Sequence, residues 1–388
     1  MKISIIGGGG HVGLPLSIAL AEANNQNFVT IIDINEETNK LITNGIMPFK
    51  EEGAKEKLLK VIGKNLFVSN KHEEISNSDV IIIIIGTPVD EHLNPSFKVF
   101  KEFIKSTIKY FKDDQTIILR STVYPGTSEK IWDLFKNNNL NIHISFCPER
   151  IAEGKAMTEL YTLPQIVSGF DEIAISTATK VFNFLTNDIV YLEPMEAELA
   201  KLFTNSWRYI QFATANQYYM LAESKGLDFY RIYYAMTHNY PRTKNFPKAG
   251  FAAGPCLFKD TMQLSSFSDN QFFIGHSAML INEGLPNFIV KQLKKEVILK
   301  DLTVGILGMA FKANSDDSRS SLSYKLKKIL EFEAKNVLCT DVYIKDKSFL
   351  SLDELLEKSD ILILGTPHSD YKNIKITKKI IDVWNFFD

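Results

Sequence analysis

The sequence predicts an α/β protein with a doubly wound layer at each end and a long central helix joining them. Three observations point there. Short β-branched runs alternate with helical stretches through the first half and return near the end, the pattern of parallel sheets covered by helices. The first run leads straight into a glycine-rich turn. Between the two layers lies a stretch free of proline and glycine, long enough for roughly eight helical turns. A chain of 388 residues exceeds one ordinary core, and the expected division is 1–190, 191–295 and 296–388.

Composition narrows the class. Charged residues make up 23% and hydrophobic ones 45%, which argues against disorder. A net charge of −2 supplies no field for nucleic acid or an anionic membrane, so neither is expected as a partner. Cys147, Cys256 and Cys339 are odd in number and far apart, which argues against a disulfide framework and for a reducing cytosol. The opening MKISIIGGGG is too short for a signal peptide, and the longest aliphatic run, Val80 to Ile85, falls far below the roughly 20 residues of a membrane helix. A soluble, cytoplasmic protein is expected.

Lys2 to Ile6 reads as a buried strand that runs into Gly8-Gly9-Gly10-His11-Val12-Gly13. Leu14 to Leu20 continues at helical spacing, with Pro15 tolerable in the first turn. Gly8, Gly10 and Gly13 form GxGxxG: a tight turn, a backbone open to a pyrophosphate, and close helix-to-strand packing, with His11 and Val12 completing the cradle. The next strand, Val29 to Ile32, ends in Asp33, about twenty residues past Gly13, where a carboxylate can hydrogen-bond ribose hydroxyls. No arginine follows closely and the carboxylate repels a 2′-phosphate, so the expected cofactor is NAD rather than NADP; no metal is expected. The first layer therefore reads as Rossmann-like.

Val80 to Ile85 is the next strand and ends in Gly86-Thr87-Pro88; Thr116 to Leu119 ends in Ser121-Thr122-Val123-Tyr124-Pro125-Gly126. Strand ends line the crevice of such sheets, which makes Thr87 and Thr122 candidate neighbours of cofactor or substrate, although Thr-Pro and Pro-Gly also simply make turns. Ile142 to Phe146 leads into Cys147-Pro148-Glu149-Arg150-Ile151-Ala152-Glu153-Gly154-Lys155. Glu149 and Glu153, four apart, would share a face if this were helix; the default for both is solvated surface, and for Cys147 packing.

Glu196 to about Gly226 reads as one helix, a spine between domains or an oligomer interface, with Phe203, Trp207, Tyr209, Phe212, Tyr218 and Tyr219 as packing residues. Lys201 and Asn205 leave one face of it and can stabilise an oxyanion together, or be a solvated pair. A small-residue loop, Ala249 to Ala253, precedes Gly254-Pro255-Cys256-Leu257-Phe258-Lys259-Asp260. Lys259 favours a Cys256 thiolate and Asp260 opposes it, while an isolated cysteine defaults to packing. Leu302 to Leu307, Val337 to Cys339 and Ile361 to Leu364 read as strands of a second Rossmann-like layer, the last leading to Gly365-Thr366-Pro367-His368 in an echo of Gly86 to Pro88.

Together these motifs resemble the UDP-glucose/GDP-mannose dehydrogenase family over nearly the whole chain. The resemblance rests on GxGxxG, Gly86 to Asp90, Ser121 to Thr127, Lys201 with Asn205, Cys256 with Asp260, and Gly308-Met309-Ala310-Phe311-Lys312-Ala313-Asn314-Ser315-Asp316-Asp317-Ser318-Arg319. It implies oxidation of a sugar 6-hydroxyl to a carboxylate with two NAD, Cys256 capturing the intermediate aldehyde as a thiohemiacetal that becomes a thioester. It further implies that Lys201 and Asn205 hold oxyanions, that Asp260 and Thr122 position a water, and that Glu149 and Glu153 serve thioester formation and hydrolysis. Lys312 and Lys259 match positions at the substrate, Arg319 one at the cofactor, and the last layer a holder of the UDP portion.

Two departures stand out: Ala252, Ala253 and Pro255 where the family usually has glycines, and Asp341-Val342-Tyr343 for the family's Asp-Pro-Tyr, expected to be a local change in a turn. Cys147-Pro148-Glu149-Arg150, Gly154-Lys155 and Pro241-Arg242 resemble the branch acting on UDP-N-acetylmannosamine or UDP-N-acetylglucosamine, while Lys259-Asp260 resembles the UDP-glucose branch. The match of Arg242 to a residue reaching a neighbouring subunit's site implies a homodimer built through the central helical domain, and the family's usual destination is surface polysaccharide. Other readings are a two-electron hydroxy-acid dehydrogenase, which has no need of Cys256, and an NAD-binding scaffold without turnover.

Overall fold

The computed structural model describes residues 1–86, 98–251 and 254–387, in two compact units, Met1–Phe203 and Thr204–Asp388. The first unit is built on one sheet. Its strands are β1 (Lys2–Ile6), β2 (Phe28–Ile32), β3 (Leu66–Ser69), β4 (Val80–Ile83), β5 (Thr116–Leu119), β6 (His143–Phe146), β7 (Gln165–Gly169) and β8 (Ile189–Tyr191), in the order β3-β2-β1-β4-β5-β6-β7-β8. Pairing is parallel except between β6 and β7. The order reverses between β1 and β4, which creates the crevice where such sheets bind ligands.

Helices cover both faces, which is why β4 and β5 are buried along their whole length. Among them are α1 (Gly13–Ala23), α2 (Glu36–Thr43), α3 (Ala54–Val61), α4 (Lys98–Thr107), α5 (Thr127–Lys136), α6 (Ala156–Thr162) and α7 (Glu172–Phe182). Leu16, Leu20, Leu58 and Phe182 pack on one side of the sheet, Phe100, Ile104, Ile131 and Phe135 on the other. Two expectations need correction. The strand expected over Val80 to Ile85 stops at Ile83, because its partner β5 ends opposite it at Leu119. Glu149 and Glu153 lie in a loop and share no helix face; α6 begins only at Ala156, after Gly154 turns the backbone at φ +79°.

The long helix is present as expected: α8 runs from Pro194 to Ser224, 31 residues, beginning in the first unit and continuing in the second. The second unit adds α9 (Phe229–Thr237), α10 (Leu257–Phe267), α11 (Phe273–Glu296), α12 (Leu322–Glu333) and α13 (Leu352–Lys358). Its strands β9 (Thr303–Leu307), β10 (Asn336–Thr340), β11 (Ile361–Leu364) and β12 (Ile380–Ile381) form a parallel sheet in the order β10-β9-β11-β12. Leu285, Ile289 and Leu293 of α11 share a core with Val304 and Ile306 of β9 and Leu326 of α12. Of the α8 aromatics, Tyr209 and Tyr219 are buried, whereas Phe203, Trp207 and Tyr218 are exposed, so packing within this chain accounts for only some of them. Among the described residues, no helix is long and apolar enough to cross a membrane.

Candidate functional site

In the first unit the glycine turn joins β1 to α1. A Cβ on Gly13 would lie 2.6 Å from the Gly7 carbonyl oxygen and Gly8 Cα, so the helix can approach the strand only without a side chain there. At Gly10 nothing comes nearer than 3.9 Å, which leaves the backbone open on that side. Val12 is the N-cap of α1, and the His11 ring lies 4.0 Å from that of Phe49. Asp33, at the end of β2, ties the turn down: Gly9 N–H donates to Oδ2 and Asn35 N–H to Oδ1, both at 3.0 Å. A carboxylate has about four acceptor sites, so two remain for ribose hydroxyls. An open backbone beside Gly10, a helix N-terminus and an acid at the next strand end fit a dinucleotide. Thr87 lies outside the described residues.

The loops after β5 and β6 are joined by a buried ion pair that the sequence did not announce. Arg120, 1% exposed, donates from Nε to Glu149 Oε2 at 2.8 Å, from Nη1 to the Cys147 carbonyl at 3.2 Å and from Nη2 to Gln165 Oε1 at 3.1 Å. Glu149 Oε1 accepts from Arg150 N–H at 2.6 Å and Ile151 N–H at 2.9 Å. Glu149 is thus buried and engaged on both oxygens, not a solvated surface acid. Arg150 is half-buried and donates to the Pro164 carbonyl. Cys147 is fully buried in the core, as expected, and burial pushes its thiol up to about 11.

Glu153 is half-buried next to Gly154, whose N–H donates at 2.8 Å to the buried Glu51. Thr122, half-buried, lies in the loop that Glu198 of α8 secures by accepting from Gly126 N–H at 2.6 Å and Ser128 N–H at 2.9 Å. Burial pushes the Glu198 carboxyl up against those hydrogen bonds. Lys201 follows Glu198 by one turn. Arg120, Glu51 and Glu198 were missed because their partners lie 29, 103 and 72 residues away; the one local sign is an arginine closing the apolar run TIIL.

In the second unit Cys256 is exposed and occupies the N-cap of α10, where the positive end of the helix favours an anionic sulfur. Asp260, one turn into α10, has no exposed surface; its Oδ2 accepts from Asn205 Nδ2 at 2.6 Å, and Lys259 Nζ lies 3.5 Å from its Oδ1. Four of the expected residues thus meet at one helix end. The loop before Cys256 is set from α8, where buried Asn216 receives Gly250 N–H at 2.8 Å and donates to its carbonyl at 3.0 Å. A Cβ on Gly250 would lie 2.3 Å from Trp384, and one on Gly254, at φ +108°, 2.6 Å from Phe311. Ala252 and Ala253 lie outside the described residues.

Lys312 is half-buried, its Nζ 5.6 Å from the centre of the Phe311 ring. Arg319 folds onto Asp317, with Nε 3.0 Å from Oδ1 and 2.9 Å from Oδ2. Arg242 is exposed and donates to the Tyr240 hydroxyl at 2.9 Å. Asp341-Val342-Tyr343 is a turn in which Asp341 Oδ1 accepts from Tyr343 N–H at 2.8 Å and Ile344 N–H at 2.9 Å, so the carboxylate fixes it without proline. Among the described residues, no group of three His, Cys, Asp or Glu is placed to hold a metal ion.

Three family models match the chain: the NAD binding domain of the UDP-glucose/GDP-mannose dehydrogenase family over residues 1–186, its central domain over 195–283 and its UDP binding domain over 305–388. The UDP-N-acetyl-D-mannosamine dehydrogenase of Methanocaldococcus jannaschii is 31% identical, covering 96% of this chain and 87% of the relative. That of Pyrococcus horikoshii is 29% identical over 96% and 91%. A solved UDP-D-ManNAc dehydrogenase from Pyrococcus horikoshii superimposes with a TM-score of 0.92 at 28% identity, covering 100% of this chain and 96% of that one. A UDP-glucose dehydrogenase from Pyrobaculum islandicum, at 23% identity, shares the fold with a TM-score of 0.88 over 100% and 95%.

Proposed function

The chain belongs to the UDP-glucose/GDP-mannose dehydrogenase family as an NAD-dependent nucleotide-sugar dehydrogenase, and on that premise we propose that it takes a UDP-N-acetylhexosamine, UDP-N-acetylmannosamine or UDP-N-acetylglucosamine, from alcohol to uronate in four electrons. The observation that carries the proposal is Cys256 at the N-cap of α10 with Asp260 and Asn205 joined one turn behind it. A two-electron dehydrogenase has no use for such a thiol. The similarity to UDP-N-acetyl-D-mannosamine dehydrogenases and the Cys147 to Arg150 and Pro241-Arg242 patterns support the acetamido sugar.

Gly8, Gly10, His11, Val12, Gly13 and Asp33, with Thr87, Thr122 and Arg319 as further contacts, would hold NAD, which would supply one two-electron oxidation per molecule, two molecules serving each sugar. The Cys256 thiolate adds to the carbon of the first-formed aldehyde, whose oxygen takes up a proton; the resulting thiohemiacetal gives up a hydride in the second two-electron oxidation, and its hydroxyl proton, to become a thioester, which water cleaves to the carboxylic acid and the thiol. Asn205, fixed by Asp260, presents its amide on the α8 face that also carries Lys201, and both stabilise oxygen as it gains charge. Asp260 and Thr122 handle the water. Glu149, saturated by Arg120 and two N–H groups, shapes its loop, leaving Glu153 to serve hydrolysis. Arg150, Lys259 and Lys312 bind the nucleotide sugar, with Arg242 acting in a partner's site of a homodimer.

The test is NADH formed per nucleotide sugar consumed, across UDP-N-acetylmannosamine, UDP-N-acetylglucosamine, UDP-glucose and GDP-mannose. About two NADH with an acetamido sugar is the expected yield, falling to at most about one in Cys256→Ala. One NADH from the unaltered chain would remove the thioester role.

A further inference from the structure

The turn after β11 ends in His368, which is fully buried against an equally buried Asp341. The Asn314 N–H donates to Nδ1 at 2.9 Å. A backbone amide nitrogen can only donate, so Nδ1 carries no proton and the neutral ring holds its proton on Nε2. That nitrogen lies 3.1 Å from Asp341 Oδ2 and donates to it. The same oxygen accepts from Met309 N–H at 2.6 Å and Ala310 N–H at 3.1 Å. Thr366 Oγ1 donates to the Ala310 carbonyl at 2.5 Å, and Ser369 N–H and Oγ both donate to Asn314 Oδ1 at 2.9 Å. Residues 309–314 are therefore gripped by Asp341 after β10 and by the turn after β11, with the imidazole joining the two, and the Phe311 N–H, donating to the Asp317 carbonyl at 3.0 Å, ties the stretch up to Arg319 to them.

We propose that His368 is a positioning residue for nucleotide-sugar binding: in its Nε2–H tautomer it bridges Asp341 and Asn314 and holds residues 308–319 in the conformation that presents Lys312 and Arg319, and it releases them when the ring takes a second proton. Protonation would set an Nδ1–H against the Asn314 N–H, two donors face to face, so the contact opens. The groups facing the ring are few. The Asp341 carboxylate faces Nε2 and the Asn314 N–H faces Nδ1; Tyr343 and Tyr371 present ring contacts at 5.0 and 5.5 Å, and Asp370 accepts from the Tyr343 hydroxyl. The inference rests on the nucleotide-sugar reading of Lys312.

Two variants of the full chain separate the two ring contacts. His368→Gln keeps a donor directed at Asp341 but loses the acceptor for Asn314; His368→Asn keeps an acceptor, Oδ1, near the place of Nδ1. Hydrogen exchange read by mass spectrometry follows residues 308–319, and titration calorimetry with UDP-N-acetylmannosamine and UDP-N-acetylglucosamine follows affinity at about pH 7.5 and about pH 5.5, on either side of the ordinary value of a free imidazole.

The expected result is local loss of protection in His368→Gln with binding weaker by about tenfold, and near-normal values for His368→Asn at the higher pH. Wild-type affinity falls on acidification while that of His368→Asn stays level. Unchanged protection in His368→Gln overturns the proposal, as does lost protection with unchanged affinity, or a loss spread through the whole second unit. If the wild-type chain binds neither sugar, the functional reading fails and takes the substrate role of His368 with it, while the exchange data separately decide whether the ring holds the segment.

Discussion

At the scale of single residues, two buried carboxylates show how far charge is used to hold loops. Arg120→Met leaves Glu149 buried without its cation, and a loss of about 3–5 kcal/mol is expected in denaturant unfolding. The double change with Glu149→Leu should recover part of it, since the stranded charge is gone. For Asp341, burial by itself would raise the carboxyl, but hydrogen bonds from His368 and from the Ile344 and Met309 N–H groups bring it down to about 2. A folded-state value below the unfolded one adds stability above the unfolded pKa and loses it as pH falls through the folded value. Wild type should accordingly exceed Asp341→Asn by roughly 2 kcal/mol at neutral pH, with the gap closing towards about pH 2 in acid-unfolding curves. Cys256, Asn205 and Asp260 could be singled out in the sequence through the family resemblance, and the structure brings Asn205 and Asp260 into contact. Arg120, Glu51 and Glu198 were not legible there, because each acts through a partner that only the fold brings near.

Among the elements, strands and helices followed periodicity, and their errors have local causes. The end of β4 moved because a parallel strand stops where its partner stops. The loop at Glu149 resisted helix because Arg120 and two N–H groups claim the carboxylate. Aromatics on α8 gave the helix but not its burial, which depends on neighbours far along the chain. The start of α10 is tightly constrained. Gly254 combines φ +108° with a Cβ position 2.6 Å from Phe311, so Gly254→Ala should cost about 1–3 kcal/mol in thermal unfolding and lower kcat more than it raises KM. Phe311→Leu in the same chain should return some of the stability and less of the rate, because the steric conflict eases while the left-handed backbone strain remains.

For the whole molecule, two compact units imply that unfolding need not be a single step. The NAD binding domain match lies wholly within the first unit. NAD at about a hundred times its Kd should therefore stabilise that unit by about 2.7 kcal/mol, seen by calorimetry as a shift of one transition ahead of the other. Equal shifts throughout would mean that the units melt together. The continuity of α8 sets a rule for dividing the gene. The boundary between Phe203 and Thr204 falls inside an unbroken helix, between Lys201 and Asn205. Fragments cut there would each inherit a frayed terminus and half of the lysine–asparagine pair, so complementation of separately expressed pieces should fail with a cut at that boundary.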